Sequence, residues 1–178
     1  NTLYYYAVDQ QGFTETMNEL GLSAFVMGTR IGFDPDILID KMKTLIHRAG
    51  TNFLILDGHH CLEKTTIVET INSMMLQSVD GVLHLFPCWP DKPASFTRLR
   101  AKGAFVVSAQ YDGKQVTSLK LTSERGETCR IALPQKDAAT AEVRQNGEAI
   151  KTIQKDGILS FTTEAGKEYD IQFLPDHE

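Results

Sequence analysis

Between Thr70 and Tyr111 the chain changes its hydrophobic period, and this change limits the possible folds more than any other feature. Up to Gln77 the apolar residues Ile71, Met74, Met75 and Leu76 recur as on a helix face. From Ala104 onward Phe105, Val107, Ala109 and Tyr111 alternate as in a half-buried strand. A helical part ends in this stretch and a β part begins. Between them, Phe86 to Pro93 holds three prolines and the only tryptophan, Trp89. Each proline fixes its own φ and pushes its predecessor into an extended conformation, so a stiff, ordered crossing is expected.

Upstream, the dense apolar positions Leu20, Leu22, Ala24, Phe25, Met27 and Ile31 predict a helix ended by Gly28 or Gly32. Asp34-Pro35-Asp36 reads as an N-cap, a proline at the first helical position and an acid near the positive end of the helix dipole. The helix it opens, Asp36 to Ala49, is expected to carry Ile37, Leu38, Met42, Leu45 and Ile46 on one side and to stop at Gly50. Two helices joined by a short loop form an antiparallel hairpin. Phe53 to Leu56 is a short apolar run closed by Asp57-Gly58, and a third helix is expected over about Lys64 to Gln77.

Downstream, strand-like runs fall at Ala104–Tyr111, Gln115–Thr122, Thr128–Ala132, Ala141–Gln145, Ala149–Gln154, Ile158–Thr163 and Glu168–Leu174. They are separated by Asp112-Gly113, Arg125-Gly126, Asn146-Gly147, Asp156-Gly157 and Ala165-Gly166; Asn-Gly and Asp-Gly between alternating runs are strong hairpin signals. Seven short strands at this spacing predict an antiparallel β-sandwich. The fold class is therefore α+β: a helical segment over residues 1–86, a proline-rich hinge over 87–103 and a sandwich over 104–178.

At 178 residues and 42% hydrophobic composition the chain is long enough for one domain with a sizeable core or for two small ones. A net charge of -5 argues against nucleic acid or an anionic membrane as the main partner, because both call for a basic field, and leaves neutral ligands such as sugars open. No apolar run reaches the ~20 residues that span a bilayer. The first residue is Asn, as in a processed or excised chain. Cys61, Cys88 and Cys129 are odd in number and irregular in spacing, so they define neither a disulfide framework nor a zinc ribbon. No Gly-x-Ser-x-Gly, phosphate-cradling glycine loop or His-Glu-x-x-His occurs, and no cofactor is expected.

The change of period also carries a family likeness. Ile71-Asn72-Ser73-Met74-Met75-Leu76-Gln77-Ser78, then Asp80-Gly81 with Leu85-Phe86-Pro87-Cys88-Trp89-Pro90, then Leu99-Arg100-Ala101-Lys102-Gly103-Ala104-Phe105 with Val107-Ser108-Ala109 resembles the C-terminal end of α-L-fucosidase-like glycoside hydrolases of family 95. The likeness is dense from Thr70 to about Cys129. It implies an (α/α)6 catalytic toroid followed by a β-sandwich tail, so the helices here would be the remnant of a toroid that 178 residues are too few to complete. It further implies a carbohydrate as ligand, and a missing N-terminal catalytic portion or another chain as the partner packing on the helices. The resemblance alone suggests a periplasmic or extracellular location.

The candidate catalytic residues lie in Leu56-Asp57-Gly58-His59-His60-Cys61-Leu62-Glu63, where ionisable groups concentrate between apolar elements. The family has an Ile-Asp-Gly-Asn pattern near the end of its toroid whose aspartate helps to activate water, and Asp57-Gly58 matches it. An inverting glycosidase needs such a group on one face of the sugar and an acid on the other. By this resemblance the acid would come from upstream sequence. His59 and His60 stand where the family has asparagine and an aromatic residue, and they are candidate substrate contacts. Some relatives instead have a glycine run ending in Ile-Glu, which makes Glu63 the matching acid. Both alignments stay open, beside the plain readings of Asp57-Gly58 as a turn and Glu63 as a first-turn helix acid.

His59, His60, Cys61, Glu63 and His47 are competent zinc ligands, but neighbouring histidines in an extended segment point to opposite sides, and no metal site is expected. Trp89 between two prolines either offers a flat face to a sugar ring or plugs the junction of the helical and β parts. Arg98, Arg100 and Lys102 alternate with Leu99 and Ala101 and are expected to share one solvated face.

Overall fold

The computed structural model describes residues 23–48, 62–133 and 140–174. More of them lie in strands than in helices: two sheets, of five and six strands, accompany three short helices. The chain divides into a unit of residues 1–74 with 87–90 and a second unit of 75–86 with 91–178.

In the first unit, helix α1 (Ser23–Arg30) ends at Gly32, not Gly28. The Phe33 N–H donates to the Gly28 carbonyl at 3.0 Å, a closure that needs a left-handed residue between them, and Gly32 supplies φ +70°. Helix α2 (Pro35–Arg48) begins as expected: Asp34 Oδ1 accepts from the N–H groups of Asp36 (2.9 Å) and Ile37 (3.2 Å). Its buried side consists of Leu38 and Met42 at i, i+4, whereas Ile37 and Ile46, expected beside them, are 42% and 47% exposed. A helix turns 100° per residue, so positions next to or four beyond the buried pair fall at the edge of the stripe. Helix α3 (Leu62–Met75) adds Ile67 and Met74, and together with Phe25, Leu38, Met42 and Cys88 these form the helical core.

The third helix stops two residues short of the expected Gln77, because Leu76 opens strand β1 (Leu76–Val79), paired with β2 (Val82–Leu85). Asp80 and Gly81 form the two-residue turn at φ +50° and +75°, the left-handed pair that a tight hairpin requires. Residues assigned from sequence to the hinge form β3 (Pro93–Ala101). Of the expected runs, β4 (Phe105–Asp112), β5 (Val116–Ser123), β6 (Cys129–Ala132), β7 (Thr140–Gln145), β10 (Ile158–Phe161) and β11 (Lys167–Leu174) lie within a residue or two of their predicted places. The seventh splits into β8 (Glu148–Ala149) and β9 (Ile153–Lys155), which belong to different sheets.

One sheet has the order β1-β2-β6-β10-β9 and the other β3-β4-β5-β11-β7-β8. Every described pairing is antiparallel except β2 with β6, which departs from the all-antiparallel expectation. This arrangement fits a β-sandwich. Ile131 and Leu159 from the first sheet, and Val107, Leu121, Val143 and Tyr169 from the second, are almost wholly buried. The Phe161 and Tyr169 rings, one from each sheet, lie 5.5 Å apart. The crossing from β8 to β9 is held by Gln154, whose carboxamide accepts from the Ala141 N–H (3.2 Å) and donates to the Ala141 carbonyl (2.9 Å). One side chain thus stands in for a neighbouring strand and satisfies both backbone groups of Ala141.

Candidate functional site

The expected catalytic and substrate residues Asp57, His59 and His60 lie outside the described residues, as does the Phe53–Leu56 run. Glu63 falls in the first turn of α3. Among the described residues no three His, Cys, Asp or Glu side chains come together as metal ligands. His47 is exposed on α2, where its Nδ1 lies 2.7 Å from the Lys43 carbonyl, to which the ring N–H donates.

The structure is most detailed at Leu85-Phe86-Pro87-Cys88-Trp89-Pro90. A helix leaves its last carbonyls without partners, and this segment supplies donors: Phe86 N–H to the Met75 carbonyl (2.7 Å) and Cys88 N–H to that of Met74 (3.3 Å). Phe86 takes φ +49°, a conformation unusual for a bulky residue, and it is buried. Its ring stacks on Tyr111 at 5.0 Å and meets Phe96 at 5.4 Å. Burial, with Asp91 and Asp112 nearby, raises the Tyr111 pKa above the ordinary phenol value. In the helical unit, the Cys88 thiol donates to the Phe33 carbonyl at 3.2 Å, and half-buried Trp89 packs against the core. The packing of these residues accounts for the dense motif as a helix cap joined to two sets of apolar contacts.

Both described cysteines are buried and free. Burial, helped by Asp34, pushes the Cys88 thiol up to about 11, and burial alone pushes Cys129 up to about 12. Raised folded-state values mean that above an ordinary thiol pKa of about 9 the unfolded chain loses its thiol protons while the folded chain keeps them. Stability contributed by these thiols is therefore complete below pH 9 and falls as pH rises toward 11 and 12. In a Cys61→Ser background, we expect the melting temperature of Cys129→Ala to decline less than that of the parent between pH 9 and 11. Equal slopes in thermal melts would contradict this.

Among the described residues, a groove and a smaller pocket open on the sandwich. The groove, of about 510 Å³, is lined by Ile150, Ile153, Phe161, Gln145, Lys151 and Glu164 among others. The pocket, of about 110 Å³, opens on the six-stranded sheet around Arg98, Ser108, Lys120, Thr122 and Glu168. Neither is foreseen by hydrophobic patterning, beyond the alternation that placed Arg98 on an exposed face.

The protein-family model for the C-terminal domain of glycoside hydrolase family 95 matches residues 77–171, just over half of the 178 residues. The chain belongs to glycoside hydrolase family 95. The matched span runs from β1 into β11 and includes Trp89 and the pocket around Arg98, whereas Asp57 to Glu63 precede it. No curated protein matches the family 95 chain.

Proposed function

We propose that this family 95 chain is the C-terminal portion of an α-L-fucosidase-like glycoside hydrolase acting on glycosidic bonds of plant or host glycans, and that it is catalytically incomplete alone. The observation that carries this reading is the family match over the whole run from β1 into β11. The helices are then the last part of an (α/α)6 toroid. Apolar side chains left open on them, Met27 (41% exposed), Ile37 (42%), Ile46 (47%) and Val68 (57%), suit a surface that the upstream catalytic portion or another chain covers. Export to the periplasm or beyond accords with this reading. No helix among the described residues is long and apolar enough to cross a membrane.

In this scheme Asp57 or Glu63 polarises the attacking water on one face of the sugar, with His59 and His60 beside the substrate. The acid that protonates the leaving oxygen comes from upstream sequence. The isolated chain should give no hydrolysis of aryl fucosides, galactosides or rhamnosides above buffer, and robust turnover would overturn its incompleteness. Joined to upstream sequence that restores turnover, whichever of Asp57→Asn and Glu63→Gln removes the working carboxylate should lose about 10²–10⁴-fold in kcat. Full activity in both variants would exclude both assignments.

A further inference from the structure

On the six-stranded sheet, one apolar residue sits among polar neighbours on the side facing away from the sandwich core. Val106 shares this side with Ser108, in register with Thr122, yet it is only 6% exposed. Around it, cross-strand partners form two rows: Ser108, Lys120 and Asp170 in one, Val106, Thr122 and Glu168 in the other. At the open edge, β3 bulges. Thr97 and Arg98 together oppose Ser108, since Phe96 pairs with Ala109 and Leu99 with Val107. Arg98 takes φ +60°, and its N–H donates to Ser108 Oγ at 3.0 Å. A left-handed backbone at a non-glycine residue is held only where its surroundings enforce it, and such places concentrate at sites that bind. The bulge brings Arg98 to the rim of the 110 Å³ pocket.

We propose that this pocket binds the vicinal hydroxyls of one neutral sugar residue, which makes it a glycan contact on the sandwich. The idea rests on the carbohydrate reading above. Lys120 and Asp170 neutralise each other at 3.2 Å, and Thr122 gives Glu168 only a long hydrogen bond of 3.5 Å. Among the described residues Arg98 makes no ion pair. A guanidinium with donors to spare and a carboxylate with acceptor capacity therefore line one small pocket with an apolar floor. A hydroxyl both donates and accepts, so adjacent hydroxyls meet both groups, and the C–H edge of the ring lies on Val106. A carboxylate or sulfate ligand would gain from Arg98 but would face Glu168, and with Asp170 offset by Lys120 the lining has no net positive charge to hold an anion, which favours the neutral ligand.

The test is an NMR titration of the whole 178-residue chain with methyl α-L-fucoside, methyl galactoside and methyl α-L-rhamnoside. Weak binding is expected for at least one of them, with amide shifts gathered at Ser108, Thr122 and Glu168 and little dependence on salt. Arg98→Gly suits the backbone conformation and keeps the bulge while removing the guanidinium. It should weaken binding about tenfold or more with no loss of thermal stability. Glu168→Gln should also weaken it, and it serves in place of Arg98→Gly if that variant folds poorly. The proposal is overturned if none of the three binds, if shifts gather at the groove around Ile153 instead, if both variants bind as the parent does, or if glucuronate binds in preference. Hydrolysis by the extended chain reports on the catalytic reading independently, so the two can fail separately.

Discussion

Tyr169→Ala is expected to cost about 3–5 kcal/mol of stability, the largest loss from any single change in the sandwich. Tyr169 is 1% exposed on β11, paired with Leu121 on β5, and its ring lies 5.5 Å from Phe161 of the other sheet. Removing the ring takes away a large apolar contact between the two sheets and leaves a cavity that rigid strands on both sides do not close. The phenol has a second role, because its oxygen accepts from the Glu164 N–H at 2.8 Å in the loop before β11. Tyr169→Phe removes only that acceptor and should cost about 1–2 kcal/mol. Urea unfolding should rank the parent above Tyr169→Phe and both above Tyr169→Ala. Equal midpoints for the two variants would mean that the hydrogen bond, not the packing, carries the residue's contribution.

Met74→Ala should lower the stability of the helical unit by about 2–5 kcal/mol. Met74 is fully buried with Phe25, Leu38, Ile67 and Cys88, and its carbonyl accepts from Cys88 N–H. The side chain therefore anchors the point where the Phe86–Pro90 segment returns to the helices. Trp89, the only tryptophan, packs on the same cluster and reports on it. Its emission should shift to the red at lower denaturant in Met74→Ala than in the parent. Ile46→Ala, at a position 47% exposed, should change the midpoint little, within about 0.5 kcal/mol. A larger effect at Ile46 than at Met74 would contradict the assignment of the core.

Much of the architecture was legible where hydrogen bonds close within a few residues. Asp34-Pro35 announced a cap and Gly28 or Gly32 a stop, and the Asn146-Gly147 and Asp156-Gly157 turns carry the positive φ values that tight hairpins need. The hairpin at Asp80-Gly81 carried the same signal between Val79 and Val82, but the apolar spacing of Met74, Met75 and Leu76 favoured extending the helix through it. Pairing with β2 decided the matter, since cross-strand bonds outweigh the small helix propensity of two residues. The family likeness was legible as well, because its motif is contiguous. Trp89 marked the change of period in the sequence, and of the two readings weighed for it the structure shows packing, half-buried, on the helical core.

The amino-acid order by itself determined the start of the second helix, six of the strands with the turns that suit them, and membership of family 95, because each of these depends on residues adjacent in sequence. Only the tertiary structure decided that Ala149–Gln154 would change sheets, since Gln154 completes the backbone of a residue 13 positions away. It alone also decided that β3 would bulge at Thr97 and Arg98, although Arg98, Arg100 and Lys102 keep the exposed face expected of them. That depends on a serine hydroxyl from the neighbouring strand holding the bulge, and no pattern of hydrophobicity along one strand records a contact made by the next.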